Sequence, residues 1–383
     1  MPHASRPADG PPTSTGSVGP RHVDVLVIGA GQAGLSAAYH LQNRGFIPAT
    51  RAANDDRTFV VLDAEEAPGG AWRHRWASLR METVNGIYEL PKFPVPPADP
   101  HASSREFLPA YFAAYEERFA LDVERPVQVQ AVRRPTDGPA SGPAERLVVE
   151  TDSETWSAEH VINATGTWTR PFWPYYPGRD VFRGRQLHTQ DYVSAEEFAG
   201  RRAVIVGAGV SATQLLEEIS HVADTLWVTR REPVWEDAPS PQALAAAVAR
   251  VEEHTRRGLP SSSVVSVTGM FRTPWIERAD ARGVLVRHPM FTRIEEHGVR
   301  MPDGSFEPAD VILWATGFRA AISHLAPLRL RTPQGGIRVA NGRSLDEPRL
   351  FLIGYGPSQS TIGANRVGRD AVRAILGEPP ISR

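Results

Sequence analysis

Residues 23–34 read Val23-Asp-Val-Leu-Val-Ile28-Gly29-Ala-Gly31-Gln32-Ala-Gly34. A near-continuous apolar run passes directly into a Gly-x-Gly-x-x-Gly turn. The stretch Leu35 to Asn43 that follows has helical spacing, and Gly45 is placed to cap it. A short run without a polar face is the pattern of a strand buried on both sides of a parallel sheet. The glycines allow a tight turn and let backbone come close to a pyrophosphate, which the free N–H groups and positive dipole end of the next helix hold. Asp63 ends the following apolar strand, Thr58 to Asp63, where a carboxylate accepts from ribose hydroxyls. The distance from Gly34 to Asp63 is longer than usual, and the polar insertion at 49–58 accounts for it.

The pattern returns later in the chain. Ala203 to Val206 leads into Gly207-Ala-Gly209-Val-Ser211-Ala212, with alanine at the third glycine position, which the dinucleotide pattern allows. The next strand ends in Arg230 and Arg231 where the first unit ended in Asp63. The tip has changed sign. A carboxylate suits a free 2′-hydroxyl, and a guanidinium suits a 2′-phosphate, so the second site reads as one for NADP. A flavin in the first site and a reduced nicotinamide in the second would give hydride transfer between two domains. Asn163-Ala-Thr165-Gly166 and Trp314-Ala-Thr316-Gly317 bracket the second unit, as expected where a chain crosses between domains beside a ligand.

Of the 383 residues none is cysteine, which excludes disulfide scaffolds, thiolate metal sites and dithiol redox centres together. The net charge of −2 offers a polyanion such as nucleic acid nothing to hold. No apolar run approaches the roughly 20 residues needed to cross a bilayer. Residues 1–20, rich in Pro, Gly, Ser and Thr, read as a disordered tail without a secretory pattern, which points to the cytoplasm. Elsewhere the pattern predicts a helix from Glu106 to Phe119 and two strand pairs that bracket a loop at 135–143 and lead into His160 to Ile162. It further predicts an Ala-rich helix from Pro241 to His254, an irregular stretch at 258–275, and short strands at 284–287 and 291–294. A strand at Val311 to Trp314, a last strand from Leu350 and a helix around Arg366 to Leu376 complete it. The expected architecture is α/β: two Rossmann-like dinucleotide-binding domains, the NADPH domain (168–310) inserted into the FAD domain (21–167 and 311–383).

Several segments together resemble the flavin-containing monooxygenase family. Phe182-Arg-Gly184-Arg-Gln-Leu-His188-Thr-Gln-Asp-Tyr192 fits that family's FxGxxxHxxx(Y/F) pattern at every fixed position, just before the second glycine motif. Leu313 to Phe318 looks like its late fingerprint, Gly69-Gly70-Ala-Trp72 its flavin-side turn, and the segment from Gly354 to Ala371 its closing stretch. The resemblance implies FAD and NADPH as cofactors and dioxygen as co-substrate. It implies that reduced flavin takes up oxygen as a C4a-(hydro)peroxide, then passes one oxygen to a small molecule, most often at nitrogen or sulfur. It also favours a homodimer. Such a transfer needs desolvation and orientation more than a protein acid or base.

The expected cofactor contacts are Gly29, Gly31, Gln32, Gly34, Asp63, Gly70, Trp72, Thr165, Gly166, Gly207, Gly209, Ser211, Ala212, Arg230, Arg231, Thr316, Gly317 and Gln359. No metal ligands are expected. Asn85 is the candidate polar group at the oxygen-reacting face, although an Asn-Gly pair is also an ordinary turn. Trp76 and Tyr355 are either pocket lining or packing; Trp168 and Trp173 read as braces of a Pro-rich link, and His188 as structural rather than a base. Pocket shape is expected from the loops around 72–95, 255–275 and 355–365. Baeyer–Villiger enzymes share the layout but carry tryptophan at the position of Tyr192, which favours heteroatom oxygenation here and keeps Baeyer–Villiger-type ketone oxygenation as an alternative. An NADPH oxidase and a non-catalytic NADP-binding flavoprotein remain alternatives, whereas disulfide reductases need the cysteine pair this chain lacks.

Overall fold

The computed structural model describes residues 19–84, 86–135, 146–236, 241–261, 269–359 and 361–379. Asn85, the tail through residue 18 and the loop from 136 on fall outside these ranges. Strand β1 (Arg21–Ile28) leads into helix α1 (Gln32–Asn43), strand β2 (Thr58–Leu62), helix α2 (Ser104–Phe119) and strand β3 (Thr155–Asn163). In the sheet β1 lies between β2 and β3, all parallel, with Ile28 level with both Leu62 and Asn163. The strand Leu350–Leu352 joins the far side of β3, also parallel. The four carboxyl ends therefore share one edge. The glycine turn begins there, with Gly29 N–H donating to Leu62 O at 2.7 Å and Ala164 N–H to Ile28 O at 2.8 Å.

Both faces of this sheet are covered, which is why β1 reads as uninterrupted apolar sequence. Val25 and Val27 face a core made with α1, α2 and the C-terminal helix Thr361–Ile375; Leu26 and Ile28 face the opposite one. Small residues on α1 let the C-terminal helix approach closely: a Cβ added at Gly368 would stand 3.2 Å from Ser36 Oγ.

The second unit contains β4 (Arg185–His188), β5 (Arg202–Val206), helix α3 (Val210–Ile219), β6 (Asp224–Thr229) and β7 (Val311–Trp314). Its five-stranded parallel sheet runs Arg287–Pro289, β6, β5, β7, β4. This moves the boundary expected at 311. Strand β7 pairs with β5 and β4 on either side, so the return to the first sheet comes after Gly317. The two Ala-Thr-Gly segments consequently occupy equivalent places, each directly after the strand beside its own unit's first strand.

The two crossings are bound to each other. Pro171 and Phe318 bridge antiparallel, Phe172 N–H donates to Gly317 O at 2.9 Å, and Ala321 N–H donates to Gly166 O at 2.9 Å. His188 is wholly buried at the end of β4. Its Nδ1 accepts from Gln190 N–H at 3.1 Å, so the ring proton sits on Nε2, which donates to Gly317 O at 3.0 Å. Burial pushes its pKa down, which keeps this single tautomer.

Other expected elements hold with shifted ends. The Ala-rich helix runs Pro241–Arg256. The stretch read as irregular holds a strand, Met270–Phe271, and a helix, Pro274–Ala281, which begins with proline in its first turn. Val284 and Leu285, read as strand, pack on the second unit's core without pairing, and the ladder to β6 begins at Arg287. A three-stranded antiparallel sheet spans 293–308.

The return segment supplies a pH-dependent contribution. His324 is 8% exposed and its Nε2 donates to Asn163 Oδ1 at 2.6 Å. Burial pushes its pKa down to about 4. The unfolded chain takes up this proton near pH 6.5, and the folded chain only near 4. The contribution is therefore complete above pH 6.5 and is lost as pH falls through that window, by about 3 kcal/mol in total. Urea unfolding at pH 7.5 and 4.5 should show His324→Gln losing less stability on acidification than the wild type.

Candidate active site

The first glycine turn separates what the chain requires from what a ligand requires. Gly29 has φ +97°, and a Cβ there would meet Ala164 O at 2.8 Å; a Cβ at Gly34 would meet Gly29 O at 1.8 Å. At Gly31 a Cβ would have no protein atom within 4 Å. The chain itself forces glycine at the outer positions, and the middle one opens onto space. Gly31 is also the N-cap of α1 and gives it no side-chain cap, so the helix's first N–H groups face the same space. The Gly69–Trp72 turn folds over this cradle, with a Cβ at Gly70 only 3.3 Å from Gly31 Cα. These features fit the pyrophosphate of FAD.

Asp63, at the tip of β2, is 7% exposed. Arg125 Nε donates to its Oδ2 at 3.2 Å, and the two Nη groups of Arg125 fork onto Glu116 at 2.7 Å each. Burial pushes the Asp63 carboxyl up, and Arg125 opposes that pull. The Gln32 side chain donates to Asn365 Oδ1 at 3.0 Å and Tyr88 O at 3.2 Å, tying α1 to the C-terminal helix.

The second turn repeats the first. Gly207 has φ +144° and no room for a Cβ, with Ala315 O at 2.3 Å, whereas Gly209 faces space and caps α3 without a side-chain bond. Ala212 sits under the turn, its Cβ 3.4 Å from one built at Gly207, so a third glycine is unnecessary. Ser211 is half-buried in the first turn of α3. Buried Trp227 donates its indole N–H to Gly207 O at 2.7 Å. Arg230 and Arg231 are exposed, and among the described residues neither guanidinium has a carboxylate partner; Glu232 pairs with Arg287 instead, at 3.4 Å.

Between the units, Trp168 stacks on Phe318 with centroids 5.0 Å apart, and Arg75 lies between Trp168 and Trp72. Trp168 thus braces the domain junction rather than only its own loop. Trp173 lies against His188. The Thr165 and Thr316 hydroxyls donate to Ala321 O at 2.7 Å and Phe172 O at 2.5 Å, so these side chains lock the crossings, and the flanking Gly166 and Gly317 carry the positive φ of the bends. Trp76 belongs to the second unit's core and Tyr355 to the first unit's, where its hydroxyl accepts from Ile337 N–H; both are packing residues. Gln359 donates to Ser261 Oγ at 2.7 Å, joining the C-terminal segment to the end of the Ala-rich helix's loop. Asn85 lies outside the described residues; just before it, Thr83 O accepts from Gln214 Nε2 at 2.5 Å, docking that loop on α3. Among the described residues no cluster of His, Asp or Glu is arranged to hold a metal. Sequence reading missed Arg75, Arg125 and Trp227, which meet their partners only through the tertiary fold.

The flavin-binding monooxygenase-like family model matches residues 22–239, and the chain belongs to that family. A flavin-containing monooxygenase from Stenotrophomonas maltophilia is 37% identical and superposes with a TM-score of 0.76 over 93% of this chain and 99% of its own. A Baeyer–Villiger monooxygenase from Streptomyces coelicolor is 28% identical over 63% of this chain, which spans 43% of that protein's length. The rice indole-3-pyruvate monooxygenase YUCCA1 is 28% identical over 78% of this chain and 77% of its own. A bacillithiol disulfide reductase from Bacillus cereus, 17% identical with a TM-score of 0.63, shares the fold alone. The chain is a flavin-dependent monooxygenase, with FAD and NADPH as cofactors and a small molecule and dioxygen as partners. Among the described residues no helix is long and apolar enough to cross a membrane.

The glycine geometry separates two single substitutions. Gly34→Ala should fail to fold or lose several kcal/mol, because its methyl overlaps Gly29 O. Gly31→Ala should give apoprotein with the wild-type melting temperature but a much reduced FAD content after purification. Thermal unfolding of apoprotein and flavin absorbance check the pair.

Proposed function

We propose that this enzyme uses NADPH and dioxygen to oxygenate a small molecule at a nitrogen or sulfur atom. One observation carries the reading: two cradles of the same build, whose middle glycines Gly31 and Gly209 face open space, stand on sheets joined by mutually bonded crossings. Gly29, Gly31, Gly34 and Gly70 would hold the FAD pyrophosphate with the N-terminus of α1, and Asp63 its ribose. Gly207, Gly209, Ser211 and Ala212 would do the same for NADPH, with Arg230 and Arg231 on the 2′-phosphate. Bound FAD supplies the electron transfer and the oxygen chemistry. The chain's own groups bind, orient and exclude water.

His188 holds no transferable proton in this scheme, because its Nε2–H is committed to Gly317 O and its Nδ1 to Gln190 N–H. The overall balance is NADPH, a proton, dioxygen and substrate giving NADP, water and the singly oxygenated product. The family resemblance supports a dimer, and a chain without cysteine needs no oxidising compartment, which accords with the cytoplasm.

A second reading, oxygenation beside a carbonyl, is favoured by the match to the Streptomyces Baeyer–Villiger monooxygenase. The tyrosine that separates the two fingerprints, Tyr192, is 3% exposed and packs on Trp76 and Phe198. Tyr192 is therefore a core residue of the second unit.

With labelled dioxygen, NADPH and an aryl alkyl sulfide, the expected product is the sulfoxide carrying one labelled oxygen per NADPH consumed. Hydrogen peroxide as the sole product from amines, sulfides and ketones alike would replace the reading with an oxidase. Uncharged residues at Arg230 and Arg231 should raise the KM for NADPH at least ten-fold and leave that for NADH nearly unchanged; equal effects would remove the 2′-phosphate assignment.

A further inference from the structure

Arg75 stands between the two units with its charge unanswered. Its guanidinium lies 4.6 Å from the Trp168 ring centre and 5.3 Å from that of Trp72. The residue as a whole is half-buried, but its Nε is fully buried and has no hydrogen-bond partner. Among the described residues no carboxylate pairs with it. Glu65, on the same side of the molecule, is already engaged by Arg73 at 2.8 Å and His74 at 2.7 Å. Burial pushes the Arg75 pKa down to about 10, so it is still charged at neutral pH.

Two indole faces attract a cation but give its N–H groups no acceptor. Arg125, the other guanidinium held inside the fold, shows the contrast, since two carboxylates meet it. A cation kept in an apolar setting without an anion is costly unless a ligand brings one. The phosphates of both dinucleotides have their own donors: the helix starts at Gly31 and Gly209, and the Arg230–Arg231 pair. Arg75 lies instead beside Trp168, whose ring stacks on Phe318 of the returning crossing, where the two units meet.

We propose that Arg75 anchors the carboxylate of an organic-acid substrate at the domain junction. Its planar fork matches a carboxylate in two parallel hydrogen bonds, and the neighbouring rings of Trp72 and Trp168 supply apolar walls for the rest of the molecule. The word substrate rests on the monooxygenase reading above.

Benzoate and benzamide share a ring and differ in charge, so titrating each into the FAD-loaded full chain isolates the anion. Flavin absorbance and tryptophan fluorescence report binding without turnover. Benzoate should bind at least ten-fold more tightly, Arg75→Gln should abolish that preference, and Arg75→Lys should keep part of it. Equal binding of the two probes, or an equal loss of both in Arg75→Gln, would overturn the proposal. So would a loss of FAD or a raised KM for NADPH in Arg75→Gln, either of which assigns the guanidinium to a cofactor phosphate. Failure of NADPH to reduce the flavin would remove the monooxygenase reading alone, since the benzoate titration needs no catalysis.

Discussion

A backbone carbonyl pressed against the first glycine of each motif governs the architecture. Ala164 O leaves no space for a side chain at Gly29, and Ala315 O leaves none at Gly207. Each carbonyl belongs to the residue just past a strand parallel to the unit's first strand, so the close approach needs the register Ile28 to Asn163 and Val206 to Trp314. Slip either strand by one residue and its side chains would exchange the two cores they are packed into, while the turn lost its support. The two cradles are thus properties of whole sheets rather than of isolated Gly-rich loops.

The same two strands also carry the chain between units. Having supported a turn through its alanine, each segment continues through threonine and glycine into a crossing. Gly317 O collects the result, accepting from Phe172 N–H on the outgoing crossing and from His188 Nε2 at the end of β4. The long family fingerprint makes sense in these terms. Phe182 is core, Gly184 has no room for a Cβ beneath Asp310 O at 2.4 Å, His188 is a clamp and Tyr192 is core again. Its spacing is kept by packing and hinge geometry; none of these four residues is poised for chemistry.

Both glycine turns were legible because each is local, a buried strand, a turn and a helix start within about a dozen residues, and the change of sign from Asp63 to Arg230 shows at the tip of each unit's next strand. What could not be read was long-range. Strand β7 lies after the second unit in sequence yet completes its sheet, because pairing with β5 is a tertiary choice that Val311 to Trp314 does not announce. The side chains of Gln32 and Thr316 meet protein partners 333 and 144 residues away, links that position within a motif does not announce. Trp76 sits next to the Gly69–Trp72 turn in sequence and in the second unit's core in space. Arg125 and Arg75 gave no signal in a chain where arginine is the common cation.

Those two arginines show how burial separates structural from ligand-directed charge. Arg125 is enclosed with Asp63 and Glu116, so its hydrogen bonds are complete within the protein and its charge is more than neutralised. Among the described residues Arg230 and Arg231 have no carboxylate partner but are solvated, a state that costs little. Arg75 combines the burial of the first with the missing partner of the second. Water does not fully answer it, and no side chain among the described residues does. Trp168, on the outgoing crossing, borders it, so the proposed carboxylate would complete the charge where the two units are bonded to each other.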